Sequence, residues 1–333
     1  MNRVRWGIVS TAKIGLEKVI PAMQRAETCV VEAIASRDLA RAEAAARELG
    51  IARAYGSYED LIADPEIEAI YNPLPNHLHV PWSVKAAEAG KHVLCEKPLA
   101  LTAAEARTLV EVRDRTGVLI QEAFMVRHHP QWLRVREIIR SGRIGQVRAV
   151  QGCFTYNNPD PHNIRNKADI GGGGLYDIGA YAISAARFLF DAEPLQAVAM
   201  MERDPTFGTD RLTSAMLRFA QGQAVFTCAT QVARYQAVCA LGTEGWLRLE
   251  LPFVMEPDRG CRIMIGNGDF PGPLAAEIEA LEAVDHYTAQ AEDFASAVRH
   301  GTPLEYPLEN AVANMAVIDA VFRSAETGQW EDI

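Results

Sequence analysis

The chain has 333 residues, 49% of them hydrophobic, with 33 Lys and Arg against 43 Asp and Glu and a formal charge of -10. That length exceeds what one hydrophobic core comfortably supports and predicts two domains. An acidic chain with no basic block argues against nucleic acid or an anionic membrane as the main partner. A phosphate-bearing cofactor stays compatible, because such sites use local backbone dipoles and one or two arginines.

No uninterrupted apolar run is long enough to span a bilayer. Met1-Asn2-Arg3 passes at once into Val4–Val9, which is too short and too soon followed by a polar loop to be a secretory signal, so cytoplasm is the expected compartment. Cys29, Cys95, Cys153, Cys228, Cys239 and Cys261 sit mostly in apolar segments without a Cys-x-x-Cys pair. They read as small buried hydrophobes in a reducing environment.

The first third alternates β-rich runs with helix-patterned stretches: Val4–Val9, Lys13–Arg25, Val30–Ala35, Leu39–Leu49, Ile67–Asn72, His79–Ala89, His92–Cys95, Ala103–Arg115 and Val118–Gln121. That rhythm predicts βαβ units and a parallel sheet. After the first strand, Ser10-Thr11-Ala12-Lys13-Ile14-Gly15 stands where a dinucleotide fold carries Gly-x-Gly-x-x-Gly, with Ser and Ala replacing the first two glycines. Small residues still let the backbone approach a pyrophosphate, and Ser10 and Thr11 add hydroxyl donors.

The second strand ends in Ala35-Ser36-Arg37-Asp38, about twenty residues beyond Gly15, where the ribose-reading residue is expected. A hydroxyl plus a guanidinium suits a 2′-phosphate, so NADP is favoured, with NAD possible. The plainer alternative makes Arg37 a solvated charge and Asp38 a helix cap. Further on, Tyr71-Asn72-Pro73-Leu74-Pro75-Asn76-His77-Leu78-His79 forms a two-proline turn, with Asn76 able to cap the next helix. Such a loop suits the floor of a nicotinamide site. No metal is expected, since His77 and His79 lack a third ligand and the adjacent His128 and His129 diverge.

Lys91–Cys95 reads as a buried strand, and Glu96-Lys97-Pro98 closes it where an open α/β sheet places its ligand. A lysine there faces the crevice. Alone, the tripeptide equally describes an ordinary strand end with proline opening a helix.

Beyond residue 123 the rhythm changes. A helix near Pro130–Ser141 and a run Val147–Tyr156 precede a helix near Leu175–Phe190. Alternating runs follow at Gln196–Glu202, Leu212–Phe219, Ala224–Thr230, Gln236–Leu241 and Trp246–Leu251, before helical patterns at Ala283–Arg299 and Leu308–Thr327. The expectation is an α/β Rossmann domain over 1–123, then an α+β domain over 124–333 with a large open, mostly antiparallel sheet, helices on one face and one helix able to pack back on the first domain.

Gly171-Gly172-Gly173-Gly174 can pack tightly or open an anion-friendly helix N-terminus. Asp177 and Tyr181 lie four residues apart on the helix that follows. From spacing alone they equally suit a surface cap and a half-buried aromatic. Joined with Lys97 they supply a phenol to exchange a proton, a cation to lower its pKa and a carboxylate to orient both.

Taken in order, Ser10–Gly15, the Pro75–His79 turn, Glu96-Lys97-Pro98 and Gly171–Tyr181 make the chain resemble the glucose-fructose oxidoreductase / inositol dehydrogenase / MocA family over nearly its whole length. Ser-Thr-Ala in the first loop and tyrosine at Tyr181 look most like the branch of dimeric dihydrodiol dehydrogenases and NADP-dependent xylose-type dehydrogenases. Inositol dehydrogenases usually carry histidine at that last place.

The resemblance implies Lys97, Asp177 and Tyr181 as catalytic residues. It implies cofactor contacts at Ser10, Thr11, Ala12, Ile14, Ser36, Arg37, Pro73, Leu74, Asn76, His79, Glu96 and Lys97. Substrate contacts would come from Lys97, Asp177 and Tyr181, with Arg127, His129 and Arg165 weaker carry-overs that either line the cleft or only brace the sheet. The implied activity is hydride transfer between NADP and a hydroxyl or carbonyl of a sugar, polyol or cyclic diol, foremost an aldose of the xylose type. Trans-dihydrodiol or inositol-type dehydrogenation, reduction of a deoxysugar or imine, redox-assisted glycoside cleavage and an NADP-binding regulatory sensor are the alternatives. A homodimer or dimer of dimers through the open sheet is the implied assembly.

Overall fold

The computed structural model describes residues 3–268 and 276–333. The chain forms two compact units, one running through His128 and including Asp285–Val312, the other made of His129–Val284 and Ala313–Ile333. The sequence places the boundary at 123/124 and the helical run 283–299 beyond it, with one helix able to pack back on the first domain. In the structure Asp285–Val312 lies in the first unit.

In the first unit, β1 (Val4–Val9), β2 (Cys29–Ala35), β3 (Arg53–Tyr55), β4 (Ala69–Asn72), β5 (His92–Glu96) and β6 (Ile120–Ala123) build one parallel sheet in the order β3-β2-β1-β4-β5-β6. Ile8 stands opposite both Ile34 and Tyr71, and Tyr71 opposite Leu94. Parallel strands need helical crossovers, here through α1 (Ile20–Arg25), α2 (Leu39–Leu49), α3 (Tyr58–Ala63), α4 (His79–Glu88) and α5 (Ala103–Thr116). Because the sheet is buried on both faces, its strands are nearly continuous apolar runs rather than alternating ones. The three residues of β3 and six of α3 are too short to declare a period and were not read from the sequence.

Local signals fix the helix ends. Asp38 accepts from the Ala40 and Arg41 amides at the start of α2, and Gly50 takes the left-handed conformation at its end. From the later return of the chain, α8 (His286–His300) lays Phe294 against Trp6, ring centroids 5.4 Å apart, in a core with Cys29, Ile34, Leu94 and Ala291.

The second unit is built on β7 (Val147–Asn157), β8 (Gln196–Arg203), β9 (Asp210–Arg218), β10 (Gln223–Ala229), β11 (Gln231–Gly242), β12 (Trp246–Leu249), β13 (Cys261–Gly266), β14 (Glu277–Leu281) and β15 (Glu331–Asp332). Among the described residues they form one sheet in the order β14-β13-β12-β11-β7-β10-β9-β8-β15. Only β7 and β10 pair in parallel. The last three strands were not anticipated.

One face of this sheet is covered by α6 (Pro130–Arg140), α7 (Ala180–Phe190) and the part of α9 (Leu308–Thr327) beyond Val312. Trp132 packs edge-on to Phe188 and stacks on Phe253, while its Nε1 donates to the Pro252 carbonyl at 2.7 Å. Buried Arg187 donates to Asn314 Oδ1 at 3.1 Å and, through Nε and Nη2, to the Glu193 carboxylate. Met200 (81% exposed), Ile278 (53%) and Tyr235 (50%) lie on the opposite face. No helix among the described residues is long and apolar enough to cross a membrane.

Candidate active site

The carboxyl ends of five neighbouring parallel strands, β2, β1, β4, β5 and β6, bring one group of expected site residues to a single edge of the first unit. After β1, Ser10 has φ 136°, a backbone conformation side-chain-bearing residues seldom adopt, and its amide donates to the Ala35 carbonyl. The serine thus holds a glycine-like bend where the first glycine of the fingerprint is usually found, and strain of this kind clusters at binding loops. Thr11, Ala12 and Ile14 are partly exposed beyond it, and Gly15 begins a π-helical turn, Gly15–Val19, that leads into α1.

At the tip of β2, Ser36 is 8% exposed and its Oγ accepts from the Asp38 amide at 3.2 Å. Arg37 is exposed, and its charge and that of Arg41 act on the phenol of Tyr58. Asp38, next in the chain, caps α2. A hydroxyl and cations fit a ribose 2′-phosphate better than a bare 2′-hydroxyl.

The loop after β4 is shaped by a residue the sequence reading passed over. Fully buried Asn72 donates to the His79 carbonyl and to Ser83 Oγ, and its Oδ1 accepts from the Leu74 amide at 3.3 Å. Pro73 and Leu74 are buried and Asn76 is partly exposed. His79, expected beside the cofactor, is instead 1% exposed, with Nδ1 2.7 Å from the Pro98 carbonyl and Nε2 2.7 Å from the Leu74 carbonyl. Burial lowers its pKa to about 4, against the two carbonyls, which favour a doubly protonated ring. Its place is that of a brace between the β4 and β5 loops.

At the end of β5, the buried Tyr71 hydroxyl donates to Glu96 Oε1 at 2.8 Å, and the Lys97 amide donates to Glu96 Oε2 at 3.3 Å. Burial, then Glu96, hold the Tyr71 phenol well above its ordinary pKa. Lys97 is partly exposed, its peptide to Pro98 is cis, and buried Glu122 of β6 accepts from the Leu99 amide at 2.9 Å. Past β6, Arg127 is 6% exposed, its guanidinium 4.8 Å from the Phe124 ring and 5.1 Å from that of Tyr306. That is a packed position within its own unit.

In the second unit, a π-helical turn, Leu175–Gly179, carries Asp177 and continues into α7 with Tyr181. Asp177 Oδ2 accepts from the Tyr156 hydroxyl at 2.6 Å and from Arg165 Nε at 2.8 Å. The sequence reading missed Tyr156, whose only local signal was its place in the alternation of β7. Burial, then Asp177, push its phenol far up, and Asp177 in turn raises Arg165, so both keep their protons at pH 7. Tyr181 is 5% exposed, packed against Phe154 and Phe253, and its phenol interacts electrostatically with Arg165. His129 caps α6 by accepting from the Gln131 amide at 3.0 Å, and burial lowers its pKa to about 4.

A parallel sheet in this strand order, with a small-residue bend after β1 and a cationic tip on β2, defines an NAD-binding Rossmann domain. Residues 4–124 match the family model "Oxidoreductase family, NAD-binding Rossmann fold", and residues 132–248 match "GFO/IDH/MocA C-terminal domain". The chain is 54% identical to the uncharacterized oxidoreductase ORF334 of Rhizobium meliloti, over 100% of both chains. It is 39% identical to D-xylose 1-dehydrogenase (NADP(+)) 2 of Haloferax volcanii, over 97% of this chain and 98% of that one. The crystal structure of KijD10, a 3-ketoreductase from Actinomadura kijaniata in complex with NADP and TDP-benzene, matches with a TM-score of 0.90 at 31% identity, over 97% of this chain and 98% of that one. The chain belongs to the Gfo/Idh/MocA family of oxidoreductases.

Proposed function

We propose that this oxidoreductase is an NADP-dependent aldose dehydrogenase of the xylose type, with Lys97, Asp177 and Tyr181 as its catalytic residues. The observation that carries the reading is full-length similarity to an NADP-dependent D-xylose 1-dehydrogenase, joined to a β2 tip of Ser36 and Arg37 followed by Asp38 as a helix cap. Ser10, Thr11, Ala12 and Ile14 hold the pyrophosphate side of the cofactor, Ser36 and Arg37 its 2′-phosphate, and the loop from Pro73 to Asn76 its nicotinamide side, with Glu96 and Lys97. His79 contributes by bracing that loop.

When bound, NADP supplies the hydride acceptor for an oxidation that the side chains alone cannot perform. Tyr181, as the phenolate that the Lys97 ammonium favours, takes the proton of the sugar hydroxyl, and that ammonium stabilises negative charge developing on the oxygen. Asp177, held by Tyr156 and Arg165, fixes the turn from which Tyr181 projects. Lys97→Met reduces turnover by a factor of at least about a hundred while NADPH still binds, since a missing charge at the reacting oxygen acts on the transition state.

A panel of aldoses, inositols, trans-dihydrodiols and nucleotide-linked 3-ketosugars, followed by NADPH appearance or consumption, tests the substrate. Oxidation of D-xylose or a related aldose is expected. Turnover confined to the ketosugars, or full turnover in Lys97→Met, would overturn the reading. Self-association through the open sheet face belongs to the same proposal, because Met200, Tyr235 and Ile278 expose apolar surface there. Sedimentation should give a dimer or tetramer, weakened by Met200→Glu.

A further inference from the structure

Asp210 opens β9 and is 1% exposed. Its Oδ2 accepts from the Leu175 amide at 2.6 Å and from Thr213 Oγ1 at 3.3 Å. Leu175 is the first residue of the turn that carries Asp177, and Tyr181 follows in the helix continuing from it. The glycine run is shaped around this carboxylate. Gly173 has φ +121°, and a Cβ there would come within 2.0 Å of Asp210 Oδ1. On the other side of the run, a Cβ on Gly172 would meet the carbonyl oxygens of Arg165 and Lys167 at 2.6 Å. The start of the turn, where free amides would welcome an anion, is therefore occupied by the chain's own carboxylate.

We infer that Asp210 is a positioning residue of the reaction, fixing the stretch from Gly173 to Tyr181 through the Leu175 amide and so setting the aim of Asp177 and Tyr181. The inference rests on the proposed function. Burial pushes the Asp210 carboxyl up to about 7, while the Leu175 amide, the Thr213 hydroxyl and Arg203 of β8 favour its charged form. Tyr156 of β7 and Cys228 of β10 also face it, and burial keeps both neutral. Asp177, the charged group of the turn itself, is directed at Tyr156 and Arg165. Asp210 thus changes charge near neutral pH while its neighbours do not, which gives positioning a signature that simple packing lacks.

The test measures kcat and KM from pH 6 to 8 for wild type, Asp210→Asn and Asp210→Ala, beside Lys97→Met and Tyr181→Phe, with NADPH affinity followed by fluorescence. Asp210→Asn keeps the shape but offers the Leu175 amide a neutral, weaker acceptor in place of the carboxylate. It should fold, bind NADPH within twofold of wild type, and lose at least threefold of the rise in kcat across that range. Asp210→Ala should lower kcat tenfold or more at pH 8 with NADPH affinity unchanged. Wild-type kcat and pH profile in Asp210→Asn would overturn the inference even if Asp210→Ala does not fold. Loss of turnover in Lys97→Met and Tyr181→Phe at the same time would leave the proposed function standing. Retained turnover in those two would overturn that function, and the positioning role with it.

Discussion

Arg37 and Arg41 stand four residues apart at the start of α2, and both act on the phenol of Tyr58, which burial raises and their charges lower. Two guanidinium groups so close together suit a doubly charged group. Replacing Arg37 by Asp removes the cation and places an anion where the 2′-phosphate is assigned. The Michaelis constant for NADP should then rise roughly 10- to 100-fold, the worth of one charge-assisted hydrogen bond, and far more than that for NAD. Steady-state kinetics with both cofactors check this, and equal effects would count against a role for Arg37 in reading phosphate. Arg37, Lys97, Asp177 and Tyr181 could be picked from the sequence because each follows a strand or glycine signal. Asn72 and Tyr156 end expected strands and Asp210 precedes one, but nothing local names their partners, which lie seven, 21 and 35 residues away.

Both candidate regions are entered through π-helical turns, Gly15–Val19 before α1 and Leu175–Gly179 before α7. A 3.6-residue period cannot announce such a turn, which comes from the packing around it. The helix that follows the Lys97 loop is held in a more ordinary way. Thr102 Oγ1 accepts from the Glu105 amide at 3.1 Å, and the Glu105 carboxylate reaches back to the Leu101 amide at 3.0 Å. Thr102→Ala should cost about 0.5–2 kcal/mol of stability, the usual worth of such a cap. Urea unfolding should show a lower midpoint at constant slope, with NADPH affinity little changed. A shifted slope would mean that the end of α5 controls more of the fold than its first turn.

Over the whole molecule, stability depends on pH through groups in both units. His79 and His129 have pKa values held near 4 by burial, below their ordinary 6.5, so the unfolded chain takes up their protons first as the pH falls. Their contribution is complete above about 6.5 and is lost as the pH drops toward 4. Asp210 works in the opposite sense. Its carboxyl, raised from 3.8 to about 7, gives stability that is complete below 3.8 and lost as the pH rises through 7. Between pH 6.5 and 4 the two histidines outweigh the one carboxyl, and thermal melting temperatures should fall on acidification. His79→Gln should flatten that fall, and Asp210→Asn should gain stability relative to wild type above pH 7. A melting temperature rising steadily from pH 6.5 to 4 would contradict the assignments of the two histidines.

The division into units shows where local reading stops. Helix α9 was read with its observed limits, Leu308–Thr327, because its period of burial is long and regular. The same signal found α8, and one helix was expected to be able to pack back on the first domain, but nothing local named Trp6 and Cys29, 260 or more residues earlier in the chain, as its partners. Amphipathicity states that a helix has a face to bury and leaves open against what.

By itself the sequence determined the βαβ rhythm of the first unit, the alternation that makes the second sheet, and the candidate groups at strand ends, since these follow from periods and turn residues within a few neighbours. Only the tertiary structure decided that His79 is a brace, that Arg127 lies packed against two rings, and that the glycine run closes on Asp210. Those outcomes depend on burial and on contacts between distant segments, which decide whether a polar group meets solvent, a ligand or another part of the chain.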